Sequence, residues 1–115
     1  MPTPTEIRLK KSERVLEVDF DDGATFSLPA EYLRVESPSA EVQGHGPGEK
    51  TIVPGKQMVG IVHIEAVGHY AVRLDFDDGH DTGIFSWEYL HELGQEQPRR
   101  WQAYLDALAT RGLTR

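Results

Sequence analysis

The chain contains no cysteine in its 115 residues. That removes disulfides, thiolate nucleophiles, cysteine-held iron–sulfur clusters and every cysteine-based zinc site. It also lacks any apolar run near the roughly 18 residues that cross a bilayer. The opening stretch MPTPTEIRLKK has no apolar signal core, so a cytoplasmic protein with no membrane partner is expected. Positive charge is short as well. Twelve Lys and Arg against 19 Asp and Glu leave a net charge of −7, and phosphate contacts need clustered cations, so nucleic acid is not an expected partner. A protein or small-molecule partner fits this balance. No serine sits in a nucleophile-elbow pattern and no residue combination spells a triad. No histidine pair has the i, i+4 spacing of a zincin. The run GHGPGEKT from Gly44 approaches a phosphate-binding loop, but Glu49 stands where the second glycine belongs and IVPGK cannot start the required helix.

With 38% hydrophobic and 27% charged residues, the chain reads as one globular domain over 1–115. Its core is expected over about 5–93, with a C-terminal helix over about 98–111. Alternation predicts strands at 5–10, 16–20 and 24–28. Pro29 is expected to open a helical turn, AEYLR. Residues 58–67 read as a strand with Val62, Ile64 and Ala66 on one face and Ile61, His63 and Glu65 on the other; the next strand puts Tyr70, Val72, Leu74 and Phe76 inward and Ala71 outward. A short strand follows at 82–85. Ser86 reads as a helix N-cap and Gly94 as that helix's stop. Trp101, Tyr104, Leu105 and Leu108 form one stripe of an amphipathic helix. Between 34 and 57, glycines and prolines predict a long loop without regular structure.

One pattern occurs twice. Asp19-Phe20-Asp21-Asp22-Gly23 returns as Asp75-Phe76-Asp77-Asp78-Gly79, and Glu31-Tyr32-Leu33 returns as Glu88-Tyr89-Leu90. The order predicts two strand–hairpin–helix units around one core. Asp75, Asp77, Asp78 and Asp81 gather near His80, where paired carboxylates could run acid–base chemistry or hold a cation. The plainer expectation is turn chemistry and solvated faces. A metal site would need distant segments, such as His80 with Asp78 or Asp81 and His45 from the loop, and would suit iron(II), manganese or a loose zinc.

The run DFDDGHDTGIFSWEYL, with LRVESPSAEVQGHG upstream, resembles the gamma-butyrobetaine hydroxylase N-terminal-like domain family. The resemblance covers roughly residues 5–93. It implies a small domain that in some members precedes a 2-oxoglutarate- and iron-dependent oxygenase, in others stands alone, and in others is fused to proteins of iron–sulfur cluster delivery. The hydroxylase domain binds zinc through three cysteines and one histidine. His80 matches the histidine, and Ser37, Ser39 and Val42 match the cysteines. The resemblance thus implies that no zinc or other cofactor is held here, with His80 left to join the loop to the hairpin.

The fold expected is α+β: an antiparallel, hairpin-rich sheet, short helices after the hairpins and a C-terminal amphipathic helix. The function expected is a non-catalytic accessory or protein-interaction domain, with His45, His80 and Trp87 as its partner surface. The alternative is a metal-binding protein, of iron or zinc through His80, assisting iron–sulfur assembly or an oxygenase-related pathway.

Overall fold

The structure is a computed structural model and describes residues 2–44, 48 and 50–115. Strands β1 (Pro4–Lys10), β2 (Val15–Phe20) and β3 (Thr25–Pro29) form one antiparallel sheet in that order, followed by helix α1 (Ala30–Val35). A four-residue helix, α2 (Ala40–Gln43), comes next. Strands β4 (Ile61–Val67), β5 (Ala71–Phe76) and β6 (Gly83–Ser86) form a second three-stranded antiparallel sheet, followed by α3 (Trp87–Gln95) and α4 (Gln97–Thr110). The fold is α+β, with two sheets in place of the single one expected from sequence. Among the described residues, no helix is long and apolar enough to cross a membrane.

The repeat written in the sequence is a repeat in space. Both hairpins turn on a glycine with positive φ, 89° at Gly23 and 90° at Gly79, where a side chain would be strained. In both, the aspartate before it accepts a backbone N–H two residues on: Ala24 to Asp22 at 2.9 Å and His80 to Asp78 at 3.1 Å. Both first strands carry a register irregularity, between Pro4 and Glu6 and between Ile61 and His63.

The contacts between the units are reciprocal. The Tyr32 hydroxyl donates to the Leu93 carbonyl (2.7 Å), and the Tyr89 hydroxyl donates to the Glu36 carbonyl (2.5 Å). Arg34 of the first unit pairs with hairpin Asp78 of the second (2.8 Å), and His91 of the second meets hairpin Asp22 of the first (2.9 Å). The equivalent residues in these contacts, Tyr32 and Tyr89, Glu36 and Leu93, Arg34 and His91, Asp22 and Asp78, are 56 or 57 positions apart. An approximate twofold therefore relates the units, and they share one core that includes Leu16, Val18, Leu28, Leu33, Leu74, Phe85 and Leu90.

Several expectations need correction. The irregularity at Ile61/His63 shifts the pleat, so Ile61 is buried and Val62 is 50% exposed. Tyr70 belongs to the turn before β5 and is 60% exposed, while Ala71 is buried. Pro29 closes β3 and caps α1 rather than opening it; on an edge strand its missing N–H costs no ladder bond. Gly94 does not stop α3, which runs through it to Gln95. The segment expected to be an irregular loop contains α2, capped by the Ser39 side chain accepting from the Glu41 N–H, and buries Val35, Glu36, Ser37, Ser39 and Val42.

Candidate functional site

The twofold is broken by chemistry where α1 runs into the segment that follows it. In the first unit Phe26 lies against α3 so closely that a Cβ on Gly94 would sit 2.3 Å from its ring. The positions equivalent to Phe26 and Gly94 are Gly83 and Ser37. There the roles are exchanged: a Cβ on Gly83 would sit 2.6 Å from Ser37 Oγ. An aromatic plug on one side is thus matched by a buried hydroxyl on the other, and polar groups gather around that hydroxyl.

His80 leaves the β5–β6 turn and Ser37 follows α1, and Ser37 Oγ lies 2.9 Å from His80 Nε2. On the ring's other side, Nδ1 is 3.0 Å from the Glu41 carboxylate of α2. A carboxylate only accepts, so Nδ1 carries a proton, and in the neutral ring Nε2 then accepts from the Ser37 hydroxyl. Ser37 Oγ accepts the Ser39 N–H at 3.3 Å, and the Ser39 hydroxyl meets Thr82 Oγ1 at 2.8 Å. Gln43 donates to the Ser37 carbonyl at 2.9 Å. Asp78 holds the turn beneath. Burial would raise its pKa, but hydrogen bonds from Lys56 and Arg34 and from the His80 N–H outweigh that and bring it down to about 2.

Ser37, His80 and Glu41 stand in the order of a hydrolase triad, an arrangement the sequence pattern did not spell because Ser37 and Glu41 lie 43 and 39 residues from His80. Nucleophilic catalysis needs the hydroxyl to reach a carbonyl carbon. Ser37 is 0% exposed and His80 5%, so the hydroxyl is sealed even though Glu41 faces solvent, and the arrangement works as a brace between loop and hairpin.

The predicted site residues separate. Ser37, Ser39 and His80 share this cluster and Val42 is buried on the same short helix as Glu41. His45 lies outside the described residues. Trp87 begins α3, with its N–H 2.9 Å from the Tyr70 carbonyl and its indole Nε1 donating to His69 at 2.7 Å. That is the opposite end of β5 from His80: the five steps from Phe76 to Ala71 span roughly 17 Å at about 3.3 Å each. The acidic residues disperse too. Asp75 pairs with Arg73, and Asp78 is held by Arg34 and Lys56.

Zinc bound as in the hydroxylase domain does not fit these donors. Two hydroxyls and an isopropyl group occupy the thiolate positions, and neutral hydroxyls are poor ligands beside thiolates. Among the described residues, no three His, Asp or Glu side chains gather as a metal would require.

A family model described as gamma-butyrobetaine hydroxylase-like, N-terminal, matches residues 7–91. A crystal structure of a protein of unknown function in the DUF971 family, from Acidithiobacillus ferrooxidans, is 50% identical, with a TM-score of 0.68 over 80% of this chain and 92% of that one. Two solution structures determined by NMR are 46% and 47% identical, each with a TM-score of 0.86; both matches cover 100% of this chain, and 90% and 86% of theirs. No curated protein matches. Through the matched run, which takes in both hairpins, Ser37 and His80, the chain belongs to the gamma-butyrobetaine hydroxylase-like N-terminal family.

Proposed function

We propose that the chain is a non-catalytic accessory module that acts by presenting a surface to a protein partner, with no metal or organic cofactor of its own. One observation carries this reading. The two groups with the geometry for acid–base or nucleophilic work, the Ser37 hydroxyl and the His80 ring, are buried, and their hydrogen bonds, with the exposed Glu41 carboxylate on the ring's other side, join the α2 segment to the second hairpin. Burial removes His80 from a contact surface. The large apolar side chains that do face outward include Met58, Val62, Tyr70 and Ile84, all between residues 58 and 84. Tyr70 lies beside Trp87. The second unit is therefore the side offered for contact, since apolar groups left outside mark association surfaces.

Two experiments test this. A fluorophosphonate probe that labels accessible nucleophilic serines should leave Ser37 unmodified in the folded protein; labelling at Ser37 would contradict the sealed site. In affinity capture from the native cell extract, Tyr70→Glu and Ile84→Glu should lose the partner that wild type retains, with unchanged melting temperatures. Identical partner profiles would overturn the interaction reading.

A further inference from the structure

Glu31 is buried, 6% exposed, in the first turn of α1. Its counterpart across the twofold, Glu88, is exposed, so the unit's own fold does not dictate this burial. What differs is the surroundings of α1: Pro29, Tyr32, Gln97, Trp101 and Arg115 frame a cavity of about 200 Å³ with Glu31 on its wall. A carboxylate withdrawn from water needs a cation with good geometry.

The cation is Arg115. Its Nη2 and Nε donate to the two Glu31 oxygens at 2.7 and 3.1 Å, and its guanidinium carbon lies 5.4 Å from the centre of the Trp101 ring. A two-pronged carboxylate under a fork of N–H groups, with an indole face beside it, selects a guanidinium over an ammonium. Yet Arg115 follows an exposed tail after α4, and its own side chain is 42% exposed. The tail is tied by the Gly55 N–H to the Thr114 carbonyl (3.0 Å) and by the turn at Leu113. The receiving half is a buried carboxylate and a partly buried indole, both on helices; the inserted half is peripheral.

We propose that Glu31, Trp101 and the adjoining cavity form a binding site for a guanidinium group, which Arg115 fills from within the chain and which an arginine side chain of another polypeptide can take in its place. The site lies on α1 and α4, apart from the His80 cluster and from the apolar side chains of residues 58–84. Its failure would leave those readings untouched.

The test uses the full chain and N-acetyl-arginine amide as probe, followed through the Trp101 indole N–H resonance. Arg115→Ala should bind the probe saturably, and wild type about tenfold or more weakly, because the tethered side chain competes at high effective concentration. N-acetyl-lysine amide should bind Arg115→Ala about tenfold more weakly than the arginine probe. Adding Glu31→Gln to Arg115→Ala should abolish binding. Should that pair not fold, Trp101→Phe with Arg115→Ala, titrated by calorimetry alongside Arg115→Ala because it lacks the indole resonance, should bind several-fold more weakly, since the indole is the better cation partner. No binding to Arg115→Ala overturns the proposal. So does binding that ignores Glu31 or fails to distinguish arginine from lysine.

Discussion

A methyl group on Gly94 would lie 2.3 Å from the Phe26 ring, while the glycine itself keeps ordinary helical backbone inside α3. Alanine is the better helix former by about 1 kcal/mol, but a rigid ring on a paired strand yields little. Gly94→Ala is expected to destabilise by roughly 1–3 kcal/mol, as overpacked cores do, which a thermal melt would show; a neutral or stabilising result would mean that Phe26 can move aside. The glycine was visible in the sequence, but its reason was not. A helix-stop glycine and a close-approach glycine look alike until the partner 68 residues away is known. His80 is similar: its turn position was legible from Asp78-Gly79, whereas its two ring partners were not. Asp78 makes a pH prediction. Its carboxyl is held at about 2 against an ordinary 3.8, so the stability it contributes is full above pH 4 and is lost as pH falls toward 2. Asp78→Asn should flatten the acid limb of the stability profile over that interval and should loosen the segment that Arg34 and Lys56 hold. An unchanged acid limb in urea titrations between pH 2 and 4 would contradict the pairing.

At the scale of elements, strands with clean alternation were readable because one side chain in two faces the core: Leu16, Val18 and Phe20 are all buried. The reading failed where the register slips, at Ile61/His63, since the extra residue lets Ile61 and Ile64 both face the core and leaves Val62 outside, which no simple alternation predicts. It failed again at α2, where four residues between Ser39 and Gly44 give too little periodicity to detect and only the serine cap hints at a helix. The helices of the two units hold each other by exchanged tyrosine bonds. Tyr32→Phe and Tyr89→Phe each remove one hydrogen bond to a carbonyl at the end of the opposite helix, at about 1 kcal/mol apiece. The twofold predicts similar losses in chemical denaturation. A large effect from one and none from the other would show that only one half of the exchange matters. Both phenols are pushed up by burial, that of Tyr89 to about 12, so this pair keeps donating through neutral and mildly alkaline pH.

The whole molecule is two copies of one unit closed on each other, with the differences gathered at the segment between them and at α4. The doubled motifs made this legible from sequence; the reciprocal pairs Arg34–Asp78 and His91–Asp22 show how far it goes. The difference that matters most is the exchange of Phe26 and Gly94 for Gly83 and Ser37, which turns one apolar junction into a polar one. There the Ser37 hydroxyl bonds the His80 ring and accepts the Ser39 N–H, and the Ser39 hydroxyl meets Thr82. Ser37→Ala leaves His80 Nε2 buried without its partner and should cost about 1–3 kcal/mol in equilibrium unfolding, with no loss of any bound ion. The claim beneath all of this is that hydrogen bonds, rather than a cation, fasten the loop to the hairpin. Elemental analysis of protein freshly purified from its native host, without affinity tags or chelators, measures this directly. The account predicts zinc, iron and manganese far below one equivalent, in wild type and His80→Ala alike. One tightly held equivalent in wild type that disappears in a folded His80→Ala variant would contradict it.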